Sequence, residues 1–224
     1  MKYIIASALC AILLASCGQD PSTPTTTTPD YFPLQIGNWW EYAVDTAAAD
    51  GSKFIYAYTE RVEIIDDSVV NGKKYYVVQY KQVGGNQINY LFFLNKDTEG
   101  RIVYSGNILP QNIHDSMLFV VYYFNKPKGE VWNRNLYSSG NYSEIYSNND
   151  TTTVPAGVFS PNCVIKGSND IGRYSDFSIF APGIGMIKRY PVSTLFNPNT
   201  PVIDRGGIRE SLTKAFINNV AYPR

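Results

Sequence analysis

Histidine, aspartate and serine stand consecutively at His114, Asp115 and Ser116, the three residue types of a hydrolytic triad. Triads converge in space from separate segments, and three chain neighbours cannot all point at one reacting atom. No G-x-S-x-G turn, which would present a nucleophilic serine, occurs anywhere. His114 is the one histidine and no C-x-x-C pair exists, so the usual nitrogen and sulfur ligand sets for zinc are missing. The stretch 147–151, Ser-Asn-Asn-Asp-Thr, is dense in oxygen but holds one carboxylate. Calcium takes roughly six to eight oxygens with several carboxylates among them, so this stretch reads as a solvated turn.

Carboxylates are the remaining catalytic type. Glycoside hydrolysis needs two of them at a set separation across a cleft. Glu41, Glu60, Glu63, Asp66, Asp67, Glu130, Glu144 and Asp176 supply the chemistry, but their positions along the chain do not pair them. No catalytic residue, metal ligand or cofactor site is therefore assigned. Aromatic side chains offer a different chemistry, since an exposed ring face stacks on a sugar or an apolar ligand. Trp39 and Trp132 are the candidate ligand-binding residues. Trp39 adjoins Trp40, and neighbours in a strand face opposite sides, which leaves one of the two outward. Cys163, followed by Val164 and Ile165, reads as a small buried hydrophobe.

These residues need elements to hold them, and composition says which. Aromatics make up 14% of the chain and 18 residues are tyrosine, a type that favours half-buried strands. Nineteen Lys and Arg balance nineteen Asp and Glu, which speaks against nucleic acid as a partner.

The start of the chain is a separate matter. Lys2 precedes an apolar run over residues 3–15, about 13 residues where a spanning helix needs ~20. That is the length of a signal-peptide core. Its end, Leu14-Ala15-Ser16-Cys17, resembles the bacterial lipobox. The resemblance implies cleavage after residue 16, palmitate-type acylation of Cys17 and attachment to a membrane through that lipid. Removing 16 of the 224 residues would leave 208, one β domain in size. Residues 18–30 carry three prolines, five threonines and no large apolar side chain, and read as a disordered tether. The expected organisation is a signal peptide over 1–16, the lipidated cysteine and tether over 17–30, and one domain over 31–224.

Within that domain, Phe54, Tyr56, Tyr58, Val62 and Ile64 share one parity, which Glu60 interrupts; the other parity is polar. This is a half-buried strand. Asn71-Gly72 marks a hairpin, and 74–83 returns. Further strands are expected over 87–94, 101–105, 117–124, 130–137, 142–147, 173–180 and 186–190. Over 206–217 the spacing fits strand or helix, and the surrounding pattern favours a closing strand. The fold class expected is all-β, a single antiparallel domain built as a sandwich, roll or partly open barrel.

Two blocks carry a second resemblance. Phe32-Pro33-Leu34 leading through Gly37-Asn38 to Trp40 is one. Pro155-Ala156-Gly157, followed by Ala181-Pro182-Gly183-Ile184-Gly185 and Lys188, is the other. Together they resemble a group of uncharacterised secreted bacterial lipoproteins. The resemblance implies an envelope β domain and transfers no site residues.

The expectation is a lipid-anchored, non-enzymatic binding or scaffold module of the cell envelope, preferably at the outer membrane. Its ligand would be a carbohydrate, a lipid or an envelope protein. A small envelope glycoside hydrolase with paired carboxylates, or a protein-assembly partner, are the alternatives. A sugar-binding sheet requires an exposed aromatic row, an apolar ligand a cavity inside a curved sheet, and a hydrolase two acids in one concave site.

Overall fold

Turn residues divide the alternating pattern of the described residues into thirteen strands. In the computed structural model the described residues are 29–48, 53–84, 90–105, 118–134, 140–169, 175–192 and 207–223. Cys17 and the triad types at 114–116 lie outside them. The strands are β1 (Trp39–Ala47), β2 (Phe54–Val70), β3 (Lys73–Gln82), β4 (Tyr90–Lys96), β5 (Arg101–Ser105), β6 (Leu118–Tyr123) and β7 (Val131–Asn133). Then follow β8 (Asn141–Val154), β9 (Gly157–Asn169), β10 (Ser175–Ala181), β11 (Gly185–Val192), β12 (Ile208–Ile217) and β13 (Val220–Tyr222). No described residue is helical, and the expectation of an all-β, single antiparallel domain holds.

All pairings between strands are antiparallel, in the order β6-β5-β4-β3-β2-β1-β12-β11-β10-β9-β8-β7, with β13 attached to β12. Hairpins account for most neighbours, but β1 against β12 joins the two ends of the domain. The sheet curls until its edges almost meet, where Val120 N–H of β6 donates to Arg134 O just beyond β7 at 2.8 Å. A nearly closed barrel results, which brings the two edges of the sheet together at this point. The hairpin at Asn71-Gly72 is as read, with φ of 51° and 75°, the positive values a two-residue turn of this hand needs.

One end of the barrel is stoppered by the segment that leads into β1. Tyr31 and Phe32 turn inward, Tyr31 stacking on Phe124 at 5.3 Å and Phe32 packing on Trp40, Tyr122 and Phe180 at 6.0–6.3 Å. Asp30, the last residue of the expected tether, is docked as well. Its carbonyl accepts Gly183 N–H at 2.7 Å and its carboxylate pairs with Lys96 at 2.7 Å. Asn38, 2% exposed, fixes the turn into β1 by donating to Pro33 O and accepting Asn218 N–H, both at 2.9 Å.

One segment departs from the sequence reading, and the closing strand favoured near the C-terminus is present. Residues 147–151 are no isolated turn; they continue β8 through three register shifts against β9. Exposed polar side chains do not end a strand whose backbone is paired, and bulges absorb the irregularity. The extended β8–β9 hairpin has its tip at Ala156, whose N–H donates to Leu212 O at 3.0 Å. Residues 208–217 form a strand, with the rest of β12's second edge taken by β11 and β13. Backbone pairing along both sides outweighs the helical spacing of its apolar residues.

Candidate functional site: a cavity inside the sheet

The inward-facing side chains do not fill the barrel evenly. Beside β7–β10 the interior is packed, with Trp132, Ile145, Cys163, Ile165 and Phe180 all buried. Arg134 closes this half by lying over the bare Cα of Gly167 and reaching Asp176 at 3.2 Å and Ser143 Oγ at 2.5 Å. Between β1–β6 and β11–β12 the interior opens into a cavity of ≈ 430 Å³.

Period two places its walls. β1 contributes Trp40 and Tyr42; β2 contributes Tyr58, Glu60, Val62 and Ile64 from the very parity that the sequence shows. Val78 and Tyr80, then Phe92, Leu94, Ile102 and Tyr104, continue the wall across β3, β4 and β5. Phe32 lies at the stoppered end, and Tyr58, Ile208 and Glu210 lie toward the other. Both polar atoms nearest the floor are already committed. Trp40 Nε1 donates to Ile184 O at 2.6 Å and Tyr42 Oη to Met186 O at 2.9 Å. The walls are thus aromatic and aliphatic, with three charged side chains: Glu60, Arg189 and Glu210.

The three charges lie on neighbouring rungs. Val44 of β1 pairs with Tyr58 on one side and Glu210 on the other, while Tyr42 pairs with Glu60. Arg189 pairs across with Glu210 and its guanidinium meets that carboxylate at 2.5 Å. Burial works against the arginine cation, but Glu210, with Tyr122 and Tyr80 behind it, outweighs burial and holds its pKa above the ordinary value. Among the described residues no ion pair or hydrogen bond reaches the Glu60 carboxylate. Burial first, and then the charge of Glu210, push Glu60 up to about 7 against the pull of Arg189. Burial likewise raises the phenols of Tyr42, Tyr80 and Tyr122, so they stay protonated hydrogen-bonding groups.

Of the acids named from the sequence, Glu60 alone lines this cavity. Glu41 and Glu63 share Arg61 at 3.6 and 3.2 Å, Asp67 pairs with Lys74 at 2.8 Å, Glu144 with Lys166 at 3.5 Å, and Glu130 with Lys126. Asp66 is exposed, and Asp176 belongs to the Arg134 cluster. Trp39 is on the opposite face of β1 from Trp40. Arg61 covers it at 4.1 Å and Phe216 stacks on it at 6.3 Å. Trp132 is buried against the edge of Tyr123 at 6.3 Å. Neither tryptophan lines the cavity. Cys163 is buried, and burial pushes its thiol up to about 12, which leaves it unreactive.

Arg189 and Glu210 were missed as candidates. The signal was available in one case: Glu210 sits between Ile208 and Leu212 as Glu60 sits between Tyr58 and Val62, a charge on an apolar parity. Arg189 carried no such mark, because a register shift between Ile179 and Phe180 resets the parity of β11 against β10. Among the described residues no cluster of acidic, histidine or cysteine side chains could hold a metal ion.

No family model and no curated protein matches the sequence. Two solved structures are similar in arrangement. One is a protein of Parabacteroides distasonis assigned as a lipoprotein, with a TM-score of 0.47 and 11% identity over 84% of this chain and 98% of that one. The other is a protein of Bacteroides fragilis assigned as exported, with a YMCC-like fold, a TM-score of 0.46 and 12% identity over 82% and 97%. No function is carried over from either.

Proposed function

We propose that this protein is a non-enzymatic binding module of the bacterial cell envelope, anchored by lipid at Cys17, that holds one small and largely apolar ligand inside its barrel. The cavity carries the reading. At ≈ 430 Å³ it falls within the ~300–1,000 Å³ of small-molecule sites, and its lining is apolar with a few convergent polar groups. Small barrels use their interior in this way. Of the aromatic faces that a sugar platform would need, those of Trp39 are occupied by Arg61 and Phe216. The lipid anchor follows from Leu14-Ala15-Ser16-Cys17, and the outer membrane is the preferred site.

The test is uptake of a neutral apolar fluorophore, N-phenyl-1-naphthylamine, by the purified protein. Saturable enhancement at one probe per chain, lost in Val62→Phe while cooperative unfolding is retained, supports the reading. No enhancement, or enhancement that Val62→Phe leaves unchanged, removes it. For the anchor, Cys17→Ala should move the protein from the membrane fraction to the soluble one.

One observation favours a second reading. Glu60 and Glu210 share the cavity, and Glu60 is raised while its neighbour is ion-paired, an asymmetry that acid–base pairs in glycosidases also show. Turnover of chromogenic glycosides that disappears in both Glu60→Gln and Glu210→Gln would establish it. The apolar wall, which offers a sugar few hydrogen bonds, is why binding is preferred.

A further inference from the structure

The charged groups of the cavity do not balance. Glu210 is satisfied by Arg189 at 2.5 Å. Glu60 faces the same space, and among the described residues no ion pair or hydrogen bond reaches its carboxylate; Arg189, engaged by Glu210, offsets its charge only in part. A carboxylate in apolar surroundings is stable only when neutral or paired. We propose that the ligand of this cavity is an apolar amine, its hydrocarbon directed toward Trp40 and Phe32 and its ammonium group set against Glu60. The inference rests on the cavity being a binding site at all.

The surroundings of Glu60 support an ammonium in three ways. Glu60 and Glu210 give two negative charges against one arginine, so one further positive charge neutralises the set. An anionic head would meet two carboxylates and a guanidinium already engaged by Glu210. Tyr58 and Tyr80 line the cavity on the same part of the wall as Glu60, and aromatic rings attract cations through their faces. The titratable groups that share the cavity with Glu60 are Tyr42 from β1, Tyr58 from its own strand, Tyr80 from β3, Tyr104 from β5, Tyr122 from β6, Arg189 from β11 and Glu210 from β12. Tyr42, Tyr58, Tyr80 and Tyr122 are all raised, chiefly by burial, so Glu60 is the group that changes charge near neutrality. A primary amine stays protonated to about pH 10, so pairing strengthens as Glu60 ionises.

The experiment is calorimetric titration of the full chain with octylamine, octanol and octanoate at low salt. At about pH 8 octylamine should bind at least about tenfold more tightly than either competitor, and the advantage should shrink at about pH 5.5, where Glu60 is protonated. Glu60→Gln should bring octylamine and octanol to within about threefold of one another. If that variant does not fold, the pH series on the natural protein decides alone. Octanoate binding most tightly, or an octylamine preference indifferent to pH, overturns the amine assignment. Octanol matching octylamine overturns it too but leaves the cavity as an apolar site. If none of the three binds, the binding-module reading falls with it.

Discussion

The indole of Trp40 lies against the bare Cα of Gly185. A Cβ at that glycine would stand 3.1 Å from Nε1, the atom that donates to Ile184 O one residue earlier. The two sequence blocks that resemble secreted lipoproteins therefore meet at the stoppered end of the barrel, where they build the floor of the cavity. Gly183 of the second block also donates to Asp30 O, two residues before the first block begins.

Gly185→Ala tests this joint. The backbone there has φ of 104°, which a side chain tolerates poorly, and the added methyl also presses on Trp40. A loss of about 1–3 kcal/mol is expected from the two effects, read from urea denaturation midpoints at unchanged slope. A variant as stable as the natural protein would show that the floor yields freely.

Much of the architecture could be read from local pattern. Period two places Trp40 and Tyr42 on one face, and Asn71-Gly72 declares its hairpin. Glu60 stands out as a charge on an apolar parity. What remained hidden was non-local. The pairing of Trp40 with Ala215 joins residues far apart in sequence, and no residue near either announces it. The cavity depends on that pairing, because it brings Glu210 within reach of Glu60. The strand β9 was hidden for another reason: Pro161 and polar neighbours break its pattern, while its backbone is paired with β8 and β10.

Glu60 also makes stability depend on pH. Its carboxyl is raised from 4.5 to about 7 in the folded chain. Between these values the native state binds more protons than the unfolded one, so stability falls as pH rises through the window. The loss should be on the order of 1–2 kcal/mol, less than the full shift would give because the group still faces the cavity. Comparing the natural protein with Glu60→Gln from about pH 4.5 to about pH 8 isolates the effect. A slope that survives the substitution would assign it to another group.

The ion pair between Arg189 and Glu210 should respond unequally to its two deletions. The Glu210 side chain is 7% exposed, whereas that of Arg189 keeps 42%. Arg189→Gln leaves a buried carboxylate without its cation, at a cost of about 2–4 kcal/mol. Glu210→Gln leaves a cation that solvent in the cavity can reach, and should cost about half as much. Thermal melts of both single variants and the double variant give the comparison. Equal losses would mean that Arg189 depends on Glu210 as fully as Glu210 depends on it.

Trp39 and Trp40 are neighbours in sequence but belong to different surfaces, and their substitutions should separate. Trp39→Ala removes a ring held between Arg61 at 4.1 Å and Phe216 at 6.3 Å on the outside of the sheet. Stability should fall by about 1–3 kcal/mol through lost packing and cation–π contact, while uptake of an apolar fluorophore stays as it was. Trp40→Phe removes the Nε1 donor from Ile184 O at the cavity floor. That leaves a buried carbonyl without its partner, costs about 1–3 kcal/mol, and should also change the affinity for the probe. If Trp39→Ala abolishes uptake and Trp40→Phe does not, the ligand binds on the outer face around Trp39 and the cavity is only a feature of packing.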